Sequence, residues 1–284
     1  MRALPYLLPA LLVFALFEYY PLLRVIYLSL TDADLLKSPQ WIGLANYTRM
    51  FQSAEFLNSL AVTVIFAFAV TGLEVVLGMT LGFLMNRKGP FQNLVRGAVF
   101  APVVVSLAAA AVIWLHLLNP TGGPVNQLLQ ALGLPPSRWL QDPGTALAAV
   151  ILIALWKGVG LPAVLYLAGL QGIPKELQEA AQVDGATPYQ VARWITLPLL
   201  APTTLLVFFI SLVGTFQSYG LILVLRTDGG PVGSTMLLGY YIYQNAFQYF
   251  QMGYASAVSV FLFLLLAFLG WLQFKVSERR VHYQ

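Results

Sequence analysis

The chain has 284 residues, of which 59% are hydrophobic and only 9% charged, with a net charge of +4 and a mean hydropathy of +0.76. Soluble domains carry about a quarter of their residues charged, so this balance excludes an ordinary soluble enzyme and predicts an all-α polytopic membrane protein. Cysteine is absent, which removes disulfides, thiolate nucleophiles and cysteine-bound metals, and the two histidines, His116 and His282, are too few and too far apart for a metal cluster.

A hydrocarbon core about 30 Å thick takes roughly 20 apolar helical residues, and six runs meet that requirement: 4–30, 57–85, 94–118, 146–170, 199–225 and 255–274. An even number puts both termini on one side. That side holds Arg2, Arg87, Lys88, Arg96, Lys175, Arg193, Lys275, Arg279 and Arg280, while the other holds Lys37, Arg49, Arg138 and Arg226. The excess of basic residues predicts cytoplasmic termini. These residues stand singly or in adjacent pairs at the ends of apolar runs, a pattern for membrane lipid, with no nucleic acid as partner.

The first run contains Glu18, Pro21 and Arg24 and is too long for a signal peptide, with no small-x-small cleavage site after it; it reads as a retained helix in which Glu18 and Arg24 pair across a kinked turn. In the second run Gly78 and Gly82 form a G-x-x-x-G suited to close helix packing. The outer segments 31–56, 119–145 and 226–254 carry turn signals such as Gly122-Gly123-Pro124 and Gly229-Gly230-Pro231. Their aromatics Trp41, Tyr47, Trp139, Tyr240, Tyr241, Tyr243 and Tyr249 are expected in an interfacial belt, a minority being free to touch a docked protein. No internal repeat stands out, so residues 1–284 form a single transmembrane domain.

Ionisable residues inside spans are costly and therefore informative. Glu74 in the second run and Lys157 in the fourth are the deepest; each either lines a substrate path or serves a structural pair, and Lys157 is long enough to snorkel toward an interface. Midway along the fifth run Thr215, Phe216, Gln217, Ser218 and Tyr219 combine hydroxyl, amide and aromatic groups. That chemistry suits a sugar, and equally suits hydrogen bonds to a neighbouring helix.

The long polar inner segment, 173–198, reads as helix, turn, helix. Pro174 is expected at the first helical position and Glu176 in the first turn, where the macrodipole favours an anion. Gly185 closes the helix in a left-handed conformation; Thr187 then caps a second helix with Pro188 at its first position. Ala180 and Ala181 are small enough for close packing into a partner's groove, and Glu176, Glu179 and Asp184 offer anchoring charges.

Glu179, Ala180, Ala181, Gly185, Ile195, Leu197 and Pro198 reproduce the spacing E-A-A, three residues, G, nine residues, I-x-L-P. This resembles the EAA loop of binding-protein-dependent ABC importer permeases. Pro21-Leu22-Leu23 through Ser29-Leu30-Thr31, Gly43-Leu44-Ala45-Asn46-Tyr47, Trp156-Lys157-Gly158, Gly229-Gly230-Pro231 and Arg280-Val281-His282-Tyr283 extend the resemblance over nearly the whole chain, toward the sugar-uptake subfamily. Within it the chain is similar to the first permease of a heterodimeric pair, of maltose and glycerol-phosphate type.

The resemblance implies a type I ABC importer permease fold in a prokaryotic inner membrane, with residues 179–185 in a coupling helix seated in an ATPase groove. It further implies a second permease subunit, two ATPase subunits and an extracytoplasmic solute-binding protein as partners. No G-x-x-x-x-G-K-S/T phosphate loop is present, so ATP and Mg belong to the partner ATPase and this chain carries no cofactor. The expected function is import of a mono- or oligosaccharide by alternating access. Glycerol 3-phosphate or a related polyol phosphate is the alternative substrate, and an ATP-independent secondary transporter or an intramembrane enzyme lacks the motif support. Relatives often carry acidic or amide residues just after the polar set of the fifth run, where this chain has Gly220 and Leu221.

Overall fold

A computed structural model describes residues 4–34, 38–87, 89, 92–225 and 228–280. Arg2, Lys37, Lys88, Arg226 and the tail residues Val281, His282 and Tyr283 lie outside the described residues. Within them the chain is helical, its one extended pairing being the isolated bridge between Thr31 and Trp41.

Three helical stretches are long and apolar enough to cross a membrane unbroken, and three further helix pairs reach that length across a bend, giving six if each pair counts as one span. The first stretch is α1 (Leu4–Phe14), a π-helical turn over Ala15–Tyr19 and α2 (Tyr20–Ser29). Glu18 and Arg24 do not form the expected ion pair; Arg24 instead lies over the Tyr27 ring at 5.2 Å. After α2, Asn46 donates to the carbonyls of Ser29 and Thr31 at 2.9 and 2.8 Å, and Tyr47 bonds the Ser29 hydroxyl at 2.8 Å. The G-L-A-N-Y signature thus satisfies carbonyls that a helix end leaves orphaned. Asn46 sits on α3 (Ala45–Gln52).

The central element is α4 (Ala54–Asn86), 33 residues long. Ser53 caps its N-terminus by accepting from the Phe56 amide. The two glycines expected to pack closely do so: a Cβ at Gly78 would lie 2.6 Å from the Pro162 Cβ, and one at Gly82 would lie 2.8 Å from the Tyr166 Cβ. The helix contacted is the one over Gly160–Gln171, so bare backbone substitutes for side chains where apolar burial gives no drive in lipid.

The third expected span is not one helix. α5 (Gln92–Val104) and α6 (Leu107–Leu117) meet at 104°, because Ser106 is extended and caps α6 by accepting from the Ala109 amide at 3.2 Å. A short helix α7 (Pro124–Ala131) follows in the outer segment. The fourth span is α8 (Pro143–Gly158) and α9 (Gly160–Gln171), bent by 46°. Pro162 withholds the N–H that would reach back to residue 158, which weakens the helix at that point.

The inner segment gives α10 (Lys175–Val183), α11 (Pro188–Val191), a π-helical turn and α12 (Leu197–Leu199), which bends by 60° into α13 (Ala201–Phe216). Contrary to the expectation of a continuous fifth span, α13 ends at Phe216. The chain turns at Gln217 and Ser218 and resumes as α14 (Tyr219–Leu225).

The last outer segment folds back into the molecule as α15 (Leu238–Tyr243), followed by a π-helical turn and α16 (Met252–Arg280). Tyr240 and Tyr241 are therefore buried, not interfacial, whereas Trp41 and Tyr249 are exposed as a belt requires. The largest apolar cluster joins α4, α6, α8, α14 and α15 through Phe66, Ile153, Ile222 and Tyr240; a second, around Tyr166, Leu170, Leu200 and Val207, joins α9 and α13.

Candidate transport cavity and inner coupling loop

Three of the helix breaks, at Ser106, Val159 and Gln217, border one cavity of about 490 Å³. Glu74, Lys157, Gln217, Ser218 and Tyr219, five residues picked from scattered parts of the sequence, all line it. Glu74 comes from the middle of α4, Lys157 from the end of α8, and the other three from the α13–α14 break.

Each break exposes polar backbone that lipid cannot hydrate, so a side chain or a cavity must satisfy it. Lys157 does this for α5: its ammonium donates to the carbonyls of Pro102 and Val103 at 3.1 and 3.3 Å. A cation on the last carbonyls of a helix also meets the negative end of its macrodipole. Ser218 does the same for α13, donating to the Gly214 carbonyl at 3.0 Å, while Thr215 bonds the Ser211 carbonyl at 2.6 Å. Among the described residues the Gln217 carboxamide has no hydrogen-bond partner, and it is exposed to the cavity.

Glu74 is buried, with Ser211 beside it and no ion pair to any described residue. One carboxylate oxygen occupies the place a Cβ would take at Gly158. Gly160, two residues on, is pressed against the Val103 side chain and the Val99 carbonyl, at 2.6 and 2.8 Å from an added Cβ. The Trp156-Lys157-Gly158 signature is thus a junction: Lys157 holds α5 and Gly158 receives the carboxylate of α4. Gly158 and Ser211, which also line the cavity, were not singled out from the sequence as members of this site. The W-K-G triplet was the available signal.

The inner loop has the predicted form with one change: Pro174 is the N-cap of α10, not its first helical residue. Gly185 has φ +85°, and α10 closes by the Ala186 amide donating to the Ala181 carbonyl at 2.9 Å and the Gly185 amide to Gln182 at 3.0 Å. These two bonds make a Schellman motif. Thr187 and Gln190 cap each other in a full capping box, with Pro188 at the first helical position. α10 buries none of its side chains: Glu176, Glu179, Ala180, Asp184 and Gly185 are exposed and Ala181 is half-buried. Val183 is 87% and Trp194 72% exposed, and a depression of about 340 Å³ lies between Asp184, Gly185, Gln190 and Trp194.

A bundle of broken spans around a largely apolar cavity that carries a few polar side chains, with a protruding capped helix at one end, fits a membrane permease. Residues 74–283 match the family described as binding-protein-dependent transport system inner membrane component. The chain is 33% identical over 284 residues, 99% of its length and 96% of the relative's, to the sn-glycerol-3-phosphate transport system permease protein UgpA of Pectobacterium atrosepticum. It is 32% identical to the trehalose/maltose transport system permease protein MalF of Thermococcus litoralis, over 96% of this chain and 92% of that one. Among solved structures, a chain of a bacterial alginate ABC transporter in complex with an alginate pentasaccharide-bound periplasmic protein superposes with a TM-score of 0.86 at 25% identity, covering 97% of this chain and 93% of that one.

The chain belongs to the family of binding-protein-dependent transport system inner membrane components. It is the membrane-spanning permease of an ABC importer, and ATP hydrolysis resides in a separate subunit.

Proposed function

We propose that this chain imports a neutral mono- or oligosaccharide by alternating access, paired with a second, different permease, two copies of an ATPase that binds ATP and Mg, and an extracytoplasmic solute-binding protein. Both termini and α10 lie in the cytoplasm, an orientation supported by the basic residues on that side. Closure of the ATPase dimer moves α10, whose Glu176, Glu179 and Asp184 anchor in the ATPase groove while Ala180 and Ala181 permit close approach and Gly185 sets the turn. α9 carries that movement to the Lys157–Gly158 junction and so to the cavity wall formed by Glu74, Gln217, Ser218 and Tyr219. Inverting the inward and outward populations from 1:99 to 99:1 asks the nucleotide for about 5.5 kcal/mol of preference.

The observation that carries the sugar reading is the electrostatic balance of the cavity. Its ammonium, Lys157, is already engaged by two carbonyls, and Glu74 adds a carboxylate without an ion pair. A phosphate dianion meets there an ammonium offset by a carboxylate, with no surplus of positive charge, whereas hydroxyl groups meet the free Gln217 amide and the Tyr219 ring. The trehalose/maltose and alginate systems among the similar proteins support a saccharide; the glycerol-3-phosphate system supports the alternative.

Uptake by proteoliposomes holding the complete transporter and its binding protein decides between them. ATP-dependent accumulation of trehalose, maltose or maltotriose is expected, with none of glycerol 3-phosphate. The reverse preference, or accumulation without ATP, overturns the reading.

A further inference from the structure

Beyond the cavity, an aromatic stripe continues from its rim. Tyr219 lies near parallel to Tyr243, with centroids 6.5 Å apart and 20° between planes, and Tyr243 lies 5.4 Å from Phe247. Tyr243 also lies 6.1 Å from Tyr240 at 26°. At such separations near-parallel rings are laterally offset, each leaving part of its face uncovered by the next.

Two features of the chain build the stripe. Tyr240, Tyr243 and Phe247 fall at i, i+3 and i+7 on one face of α15 and the π-helical turn 244–248 that extends it. Gly239 lets Tyr219 approach that face, since a Cβ there would sit 3.0 Å from the Tyr219 Cβ. Tyr240 is buried and anchored by its hydroxyl donating to Asp228 at 3.2 Å. Tyr219 and Phe247, by contrast, are 48% and 58% exposed. A core aromatic cluster buries its ends, and this one does not.

We propose that Tyr219, Tyr243 and Phe247 form a stacking track for pyranose rings between the central cavity and the exposed end of the π-helical turn. The apolar C–H faces of a pyranose pack on aromatic faces, and the unpartnered Gln217 amide at the cavity end is suited to its hydroxyl groups. Continuity with the cavity through Tyr219 singles out the transported saccharide as occupant. The track rests on the sugar reading above, and it adds that at least two rings of an oligosaccharide are held at once, because the Tyr219-to-Phe247 path crosses two inter-ring steps.

The test uses the complete transporter in proteoliposomes with its binding protein and radiolabelled glucose, trehalose, maltotriose and glycerol 3-phosphate. Tyr243→Leu and Phe247→Leu are each expected to reduce uptake of the transported oligosaccharide about tenfold, the effect of one lost stacking contact, while Tyr243→Phe stays within about twofold. Basal ATP hydrolysis and recovery of the assembled complex stay at the wild-type level. Wild-type uptake of sugar with both leucine variants unimpaired overturns the track and leaves the sugar reading standing. Wild-type uptake of glycerol 3-phosphate alone overturns both. Loss of the partner permease from both variants shows the stripe to be a subunit contact, which also overturns the track.

Discussion

The Glu74 carboxylate and Gly158 share one space, and that sharing makes a sharp prediction. Gly158→Ala forces the carboxylate out of its seat, and overpacking of this kind costs about 1–3 kcal/mol. Thermal unfolding of the purified complex in detergent is expected to fall accordingly. Shortening the opposing side chain in Glu74→Ala, made on the Gly158→Ala background, restores part of the loss. Additive losses in the double variant would show that the two positions do not meet. Lys157→Met leaves the carbonyls of Pro102 and Val103 without a donor, and an unsatisfied buried acceptor costs about 1–3 kcal/mol. That variant is expected to unfold earlier even with no sugar present, a result that a purely substrate-binding lysine does not give. At this scale the sequence was informative about which residues matter and less so about what they touch. Lys157 and Glu74 stood out because charge inside an apolar run is rare, but their partners, two main-chain carbonyls and a glycine, carry no signal of their own.

Among elements, the unbroken helices and the inner loop were legible, and the broken ones were not. α4 and α16 announce themselves by length and composition. The inner loop is written in capping residues, Thr187, Gln190 and Gly185, each with a local hydrogen bond to explain it. The bends at Ser106, Val159, Leu200 and Gln217 interrupt segments whose average hydropathy stays high, so an apolar window runs straight across them. Pro102, Pro162 and Ser106 were the local signs. The burial of Tyr240 and Tyr241 was hidden for a different reason, since it depends on the outer segment returning to pack against α4 and α14, a long-range event. Two predictions belong here. Gly185→Asp puts a side chain into a left-handed conformation at a cost of about 1–2 kcal/mol, and is expected to abolish uptake while leaving the spans inserted; transport at the wild-type rate would detach this turn from coupling. Gly82→Ile separates α4 from α9 and is expected to prevent recovery of a stable complex, as read by gel filtration.

For the molecule as a whole, the proposed coupling path runs from the exposed α10 to the cavity through the helix pair α8–α9. Its stiffness comes from bare backbone contacts at Gly78 and Gly82, and its bend from Pro162 and the glycines around Val159. The absence of cysteine allows this chain to be probed at a single introduced thiol. Val183→Cys on α10 is the most direct choice, since that side chain is 87% exposed. In inside-out vesicles holding the transporter, a membrane-impermeant maleimide is expected to label it when the ATPase has been stripped away and to be blocked when the ATPase is restored, with a thiol crosslink to the ATPase arresting ATP-driven uptake. Labelling from the outer face, or equal labelling with and without the ATPase, would contradict the coupling role at the centre of this account.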